Sequence, residues 1–521
     1  MPEEEVLGAL SRRDFLARSG AAAGALLLGG GGLLRAAAAA AEAGGEPVAI
    51  LGAGVAGLTA AYRLQQAGVP WTLYEASPRY GGRMMTKRGF NADGMFCELG
   101  GELVDTNHSD LRGLCAELGL PLEPLAGTKA GVSRNLYYFN GRAYTDAQLL
   151  TAVRPFVAAI KASLDEVYAG AKTRAPITYR NPQNAARLDR LTLREYLDSL
   201  TGVDRWVRDA VEMAYVTEFG LDAERQSALN VILLTSTKAE SGDFELFGAS
   251  DEALRIVGGS QRLTDALGEK LGLSASGTAR YKPRHEFTRL ENAASGLRLT
   301  FASPDGTVEV AAARAICTLP FSTLRGVEGL DALPLGPQKR SAISGMAYGT
   351  NSKLMLGFSE RYWRRGERGA PPSNGGLFTD LPSQSFWDTA RLQQGERGIM
   401  TNYTGGVTGL ARTLSDAQPS LSDLETVFPG LRSRFDGSTA LMNWGRYPHN
   451  LGSYICSQPG DYTRHFGSAG ETECGGRLLF AGEHTSIENG GYMNGGVETG
   501  QLAARAVIAA AGRSKAAVAA P

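Results

Sequence analysis

Between Val48 and Arg83 the chain reads VAILGAGVAGLTAAYRLQQAGVPWTLYEASPRYGGR, in which a short apolar run meets three spaced glycines and then a helical pattern. This order predicts a βαβ unit. Val48 to Leu51 is its buried strand, and Gly52, Gly54 and Gly57 supply the tight turn, the close backbone approach and the close helix–strand packing that a dinucleotide pyrophosphate requires. The helix from Val55 to Gln66, with Val55 and Ala56 in its first turn, directs free N–H groups at the phosphates. Gly68 stops the helix, and the second strand, Trp71 to Tyr74, ends at Glu75, about twenty residues past the glycines, where a carboxylate accepts from ribose hydroxyls and repels a 2′-phosphate. Glycine makes up 67 of 521 residues, so a lone GxGxxG is expected by chance, and the flanking strand, helix, second strand and acid carry the reading. The unit by itself does not distinguish NAD from FAD.

A chain of 521 residues holds two or more structural units. Its 43% hydrophobic and 21% charged content is that of a soluble globular enzyme. With 53 basic against 54 acidic residues the net charge is −1, so no global field draws nucleic acid or an anionic membrane. Five cysteines and five histidines show no ligand spacing, which argues against a metal site, and no HExxH, GxSxG or P-loop occurs. An odd cysteine count leaves a thiol free. Cys317, in ARAICTLP, reads as core, while Cys456 and Cys474 flank a loop and stay open to pairing in an oxidising compartment.

Residues 1–44 precede the fold. Ser11 to Leu16, SRRDFL, is a twin-arginine pattern followed by AAAGALLLGGGGLL and an alanine-rich end, and it resembles a Tat export signal. The apolar run is too short and glycine-rich for a stable membrane span, and Ala36 to Ala43 offer A-x-A cleavage sites. A low-complexity tail is the alternative. Past Arg83, MMTKRGF reads as a strand, ELGGEL places a glycine pair where backbone passes close to something, and Asp110 to Leu118 reads as a helix. Leu149–Ala169, Leu193–Leu200, Arg205–Tyr215 and Ala228–Leu234 show apolar residues at three- and four-residue spacing, a block too long for a crossover. A helix follows the turn Val257 to Ser260, short β patterns run from Arg280 to Arg314 around Pro304-Asp305-Gly306, and Ala311 to Leu319 reads as a buried strand. Strand patterns recur at Gly345–Trp363 and Gly398–Tyr403, separated by the loop GERGAPPSNGG; Leu478 to Gly482 is a last strand and Tyr492 to Ala511 a last helix.

The closing segment LLFAGEHTSIENGGYMNGGVETGQLAARAVI resembles the end motif of the flavin monoamine oxidase and L-amino acid oxidase family. Arg79 to Arg83, ELGGEL and CTLP match in order, so the resemblance covers residues 47 to about 511, more loosely in the middle. It implies FAD. Gly82 and Arg83 then face the pyrophosphate, Glu483 the ribityl or pyrophosphate part, and Gly491, Tyr492, Met493, Asn494, Gly495 and Gly496 the isoalloxazine, with His484 behind the cofactor. There a helix N-terminus would aim its dipole at the edge where reduction places negative charge. Ala76, Gly100, Gly101, Glu102, Leu103 and His285 complete the implied cofactor set. Tyr454 and Tyr492 match an aromatic sandwich that guides the substrate nitrogen, and Lys353 matches a lysine that holds a water at flavin N5 for the reaction with oxygen. Ser453 stands where some relatives attach FAD through a cysteine, which implies non-covalent FAD. Venom-type amino-acid oxidases carry an arginine shortly after this LG, whereas Leu99 to Leu103 has none, a departure that leans toward amines. Glu102, Asp105 or Glu218 would suit a cationic tail, or else face solvent or FAD.

The expected activity is therefore oxidative deamination of a primary amine or L-amino acid by an FAD-dependent oxidase, with hydride transfer to the flavin, imine hydrolysis and reduction of O2 to H2O2. An amine dehydrogenase, a C–C desaturase or a non-catalytic flavin-binding protein are the alternatives. The expected fold is α/β: a Rossmann-like, doubly wound, discontinuous FAD-binding domain of the GR2 type from residues 45–110, 253–335 and 470–512, and an α+β substrate-binding domain from 111–252 and 336–469. Gly54, Glu75, Glu483 and Tyr492 should converge on one elongated cleft. The expected partners are the Tat export machinery, a small amine or amino acid and O2, with a periplasmic or secreted location; a homodimer is left open.

Overall fold

The computed structural model describes residues 47–125, 132–171, 174–237, 246–248 and 250–518, without the side chains of 513–518. The expected export signal lies outside the described residues. Val48–Leu51 is buried at every position, the pattern of a strand covered on both faces. It sits at the centre of five strands in the order Tyr281–Lys282, Trp71–Tyr74, Val48–Leu51, Ala315–Cys317, Leu478–Phe480, all parallel. Successive side chains point to opposite faces. Val48 and Ile50 accordingly pack with Leu58, Ala61 and Leu64 of the helix Val55–Gln66, while Ala49 and Leu51 pack with Leu290, Leu299 and Phe301. Those last residues belong to an antiparallel sheet of Glu286–Ala293, Gly296–Ser303 and Gly306–Ala312.

Two helices meet at backbone distance over the first turn. A Cβ on Gly496 would lie 2.7 Å from Val55 Cγ1 and one on Gly500 2.4 Å from the Ala56 carbonyl oxygen, so the helix Met493–Val518 lies directly on Val55–Gln66. Within the unit, a Cβ on Gly57 would come 2.0 Å from the Gly52 oxygen, and Gly52 has φ +98°.

A second sheet has the order Phe435–Asn443, Ser352–Phe358, Gly398–Thr404, Ser385–Asp388, Ser373–Thr379, Ser133–Phe139, Arg142–Thr145 among the described residues. It is antiparallel except where Ser373–Thr379 runs parallel to Ser133–Phe139. The helices Arg154–Tyr168, Leu193–Ser199, Arg205–Phe219 and Ala228–Leu234 form one core with Tyr137 and Phe139 of this sheet.

Several expectations are corrected. Leu149–Ala169 is two helices, Asp146–Ala152 and Arg154–Tyr168, because Pro155 lacks the N–H needed inside a helix and is tolerated in a first turn. MMTKRGF contributes only Thr86–Lys87 to a strand. Ala311 and Ala312 end the antiparallel sheet, so the buried strand is Ala315–Cys317 alone. Ser373–Thr379 begins inside the expected loop GERGAPPSNGG. All five cysteines are free and buried; Cys456 packs with Leu221 and Ala347, and Cys474 with Leu333 and Leu478, in separate clusters. Among the described residues no helix is long and apolar enough to cross a membrane.

Candidate functional site

At the nucleotide end, Glu75 accepts from the backbone N–H of Ala53 at 2.7 Å and of Ser77 at 2.8 Å, which fixes the carboxylate beside the glycine turn. His285 flanks the same strand end: its N–H donates to the Glu75 carbonyl at 2.8 Å and its ring lies 6.2 Å from Tyr74. Ala76 is half-buried between Glu75 and Ser77. The helix Val55–Gln66 has no side-chain cap and no acid in its first turn, so its leading N–H groups remain open to an anion. The loop carrying Gly81 and Gly82 lies over this turn. Gly82 has φ +57°, and a Cβ there would touch Gly54 Cα at 3.0 Å. These glycines leave room for a pyrophosphate that any side chain would fill, and the residues present fit a dinucleotide.

From there a continuous line of contacts leads away. Arg83 donates to Glu483 Oε1 at 2.8 Å and to the Ser453 carbonyl at 2.6 Å, and Glu483 Oε2 accepts from Gly491 N–H at 2.9 Å. Gly54, Glu75, Glu483 and Tyr492 are thus linked along one path. His484, behind Glu483, is buried against Phe321 at 4.7 Å with neither ring nitrogen bonded; burial, then Arg83 and Lys339, hold its pKa well below the usual imidazole value.

ELGGEL is pressed between Arg83 and the last helix. A Cβ on Gly100 would lie 1.8 Å from the Arg83 oxygen, and one on Gly101 2.7 Å from Met493 Sδ. Leu103 pairs with Arg255 in a short strand. Lys353, on Ser352–Phe358, donates to the Gly100 carbonyl at 2.8 Å and to Glu102 Oε2 at 3.0 Å. Trp387 Nε1 also donates to Glu102, at 3.3 Å, and the Trp387 ring lies 5.0 Å from the Lys353 ammonium. The Asn494 side chain accepts from Leu111 N–H at 2.8 Å and so ties the last helix to the helix Ser109–Glu117. Gly495 is explained by packing, since its Cβ would meet the Asn489 oxygen at 2.1 Å.

The far end is aromatic and acidic. Tyr454 donates to the Glu218 carbonyl and accepts from Tyr403 at 2.8 Å, while Trp387 meets Tyr403 edge-on at 5.1 Å. Gly491 lets the turn lie on the Tyr454 ring, 3.4 Å from where its Cβ would be. Tyr492 lies close enough to the Glu218 carboxyl for the two to act on each other electrostatically, with its ring 5.0 Å from His108. Tyr403, Tyr454, Tyr492, Glu218 and Arg391 are half-buried. Burial raises the pKa of all three tyrosines and keeps them un-ionised. Burial, then Glu252 and Asp105, pushes Glu218 up to about 8. Asp105 is 3.3 Å from His108 Nε2, accepts from Glu252 N–H at 2.9 Å, and Glu252 lies 3.7 Å from Arg134.

Sequence reasoning did not single out Tyr403, Trp387, His108, Glu252 or Arg391. Tyr403 carries a signal in hindsight: it stands directly opposite Lys353 in the sheet, and opposed residues share a face.

A glycine-lined nucleotide end, a buried lysine–carboxylate pair and a group of half-buried tyrosines on one path fit a nucleotide-dependent oxidoreductase. The chain belongs to the flavin-containing amine oxidoreductase family, whose model, flavin containing amine oxidoreductase, matches residues 55–508. It is similar to an L-amino-acid oxidase of Siganus canaliculatus, 25% identical over 467 residues that cover 84% of this chain and 81% of that one. It is also similar to the flavin-dependent L-tryptophan oxidase RebO of Lentzea aerocolonigenes, 25% identical over 502 residues, covering 90% and 99%. In fold it is similar to cyclohexylamine oxidase from Brevibacterium oxydans IH-35A, with a TM-score of 0.72, 20% identity and coverage of 89% and 99%. The protein is therefore an oxidoreductase acting on amines or amino acids, with FAD as its cofactor.

Proposed function

We propose that the protein is an exported FAD-dependent oxidase that deaminates a primary amine or L-amino acid and delivers the electrons to O2 as H2O2. In this reading the parallel sheet and its covering helices form the Rossmann-like domain of residues 45–110, 253–335 and 470–512, and the seven-stranded sheet with its helices forms the substrate domain of 111–252 and 336–469. The observation that carries it is the single line of contacts from the open N-terminus of Val55–Gln66, through Arg83 and Glu483, to Lys353 and the three tyrosines. The relatives named for L-amino acid and L-tryptophan oxidation, and the neighbour named for cyclohexylamine, support both substrate types.

A bound FAD would supply the acceptor for a hydride from the carbon that carries nitrogen and the route for electrons to oxygen. The chain's own residues do the rest. Glu75 would hold the ribose, the helix N-terminus and Gly54 the pyrophosphate, and Arg83 with Glu483 the link toward the ring. Tyr454 and Tyr492 attract a cationic amine to their faces during entry and favour its neutral form once water is excluded. No protein base is needed, which agrees with phenols that burial keeps protonated. Lys353, held by the Gly100 carbonyl and Glu102, would hold a water for oxygen reduction. Ser453, bonded to Asn351 at 2.5 Å, offers no thiol for a covalent link. The SRRDFL pattern at Ser11 to Leu16 supports export by the Tat machinery.

The test is anaerobic mixing of the FAD-loaded protein with amines and amino acids, followed by oxygen. Flavin bleaching and then stoichiometric peroxide are expected. Bleaching without peroxide would assign a dehydrogenase, and a flavin that no amine or amino acid reduces would refute the reading.

A further inference from the structure

Lys353 is a cation whose charge the fold both buries and offsets. Its strand, Ser352–Phe358, is buried at every position, and the ammonium finds its partners across on the ELGGEL segment. It donates to the Gly100 carbonyl at 2.8 Å and to Glu102 Oε2 at 3.0 Å, and the side chains of the ion pair are 7% and 4% exposed. Among the described residues no second carboxylate comes within 4.0 Å of Lys353, and no second cation within 4.0 Å of Glu102.

Glu102 is itself held. Trp387 Nε1 donates to both of its oxygens at 3.3 Å, and the Trp387 ring lies 5.0 Å from the Lys353 ammonium. Trp387 stands in Ser385–Asp388, one strand removed from Lys353 in the same sheet. The backbone that carries Glu102 is fixed as well. A Cβ on Gly100 would meet the Arg83 oxygen at 1.8 Å and one on Gly101 Met493 Sδ at 2.7 Å, so the pair is anchored between Arg83 and the last helix. A charge-neutral pair therefore occupies the place where the oxidase reading calls for a cation.

Reoxidation moves two electrons and two protons from the reduced flavin to O2 and yields H2O2, and the first electron puts a negative charge on O2 before a proton joins it. A nearby cation favours that charge, and a carboxylate 3.0 Å from the cation opposes it. Lys353 alone would present +1 and Glu102 alone −1, whereas together they present no net charge. We propose that Glu102 is a positioning residue that sets the rate of electron transfer to O2, by holding Lys353 and offsetting its charge. This rests on the oxidase reading above and goes beyond it, because the acceptor step is assigned to the pair rather than to the lysine.

The experiment uses four FAD-loaded proteins: wild type, Glu102→Gln, Lys353→Met and the double variant, whose pair charges are 0, +1, −1 and 0. More distant charges are common to all four. Glutamine keeps the shape of Glu102 and an oxygen for the Lys353 N–H. Each flavin is photoreduced without substrate and mixed with O2 in a stopped-flow instrument, peroxide is assayed, and the midpoint potential is measured by dye equilibration. Glu102→Gln should be reoxidised at least about fivefold faster than wild type and have a more positive potential, a joint gain that disturbed packing would not produce. Lys353→Met should be at least about tenfold slower than wild type, and the double variant should exceed it by at least about threefold. If Glu102→Gln does not fold, Lys353→Met against the double variant carries the test, because those two also differ by one carboxylate charge. A Glu102→Gln rate equal to or below wild type, or a double variant as slow as Lys353→Met, would overturn the proposal and leave the oxidase reading intact. A reduced wild-type flavin that yields no peroxide with O2 would instead remove the oxidase reading, and the proposal with it.

Discussion

Replacing Glu102 by leucine should destabilise the FAD-loaded protein by about 3–5 kcal/mol, the usual cost of leaving one member of a buried ion pair alone. The structure supports a value in that range. Lys353 and Glu102 meet at 3.0 Å with side chains 7% and 4% exposed, so water cannot replace the lost partner. At that separation and an effective dielectric of about 20, the Coulomb attraction is about 5 kcal/mol, before the cost of removing both ions from water. In Glu102→Leu the ammonium keeps only the Gly100 carbonyl at 2.8 Å and the Trp387 ring. Lys353→Met leaves Glu102 with the Trp387 indole alone, and a loss of similar size is expected. The double variant, apolar at both positions, should lie within about 2 kcal/mol of wild type, because a pair replaced as a unit is often close to neutral. Urea unfolding of all four proteins with saturating FAD, read by circular dichroism, measures the coupling. Additive losses in the double variant would show that the two side chains do not stabilise each other, and the reasoning would fail.

Three further outcomes follow from the geometry. Lys353→Met should still allow its flavin to be reduced by substrate without oxygen but reoxidise it at least about tenfold more slowly, read by stopped-flow absorbance; an unchanged oxidative half-reaction would remove Lys353 from that step. Gly57→Ala would place a Cβ 2.0 Å from the Gly52 oxygen and must push the first helix off its strand, so the purified protein should lose most of its FAD; full flavin content would contradict the packing described. Glu218 is pushed up from 4.5 to about 8, so the folded state holds a proton that the unfolded state releases between those values. Its contribution to stability is full below pH 4.5 and lost as pH rises through about 8. The melting-temperature advantage of wild type over Glu218→Gln should therefore shrink from pH 6 to pH 9, and a constant difference would refute the assignment.

Local signals carried the sequence reading furthest. The strand Val48–Leu51, the turn at Gly52 and the helix Val55–Gln66 are specified within twenty residues, as are Leu478–Phe480 and the start of the last helix, which runs on to Val518 instead of ending at the expected Ala511. The second sheet was only partly legible. Ser373–Thr379, with two glycines, and Phe435–Asn443, which opens on Phe-Asp-Gly-Ser, have weak strand character of their own and are strands because distant partners pair with them. The same distance hid half of the candidate site. Lys353 stood out as a charge in an apolar run, but Trp387, Glu252 and Arg391 are ordinary residues in sequence and gain meaning only where the loops bring them together. Glycines were legible as close approaches but not as to what: Gly101 admits Met493 and Gly500 admits Ala56.

The contact of Met493–Val518 with Val55–Gln66 bears on how the protein is made. The first helix buries Leu58, Ala60 and Leu64 in one core with Val497, Ala504 and Val507, which the ribosome adds more than 400 residues later. Pairing across such a separation is slow, because the loop must close before the contact stabilises it. Throughout synthesis the nucleotide-binding turn is therefore present but lacks its cover, Glu483 is not yet opposite Arg83, and a nascent chain exposes an apolar helix face that chaperones can recognise. Cofactor capture is therefore expected after translation rather than during it, and a chain cut before Leu478 would have every residue of the first motif but lack Glu483 and the covering helix.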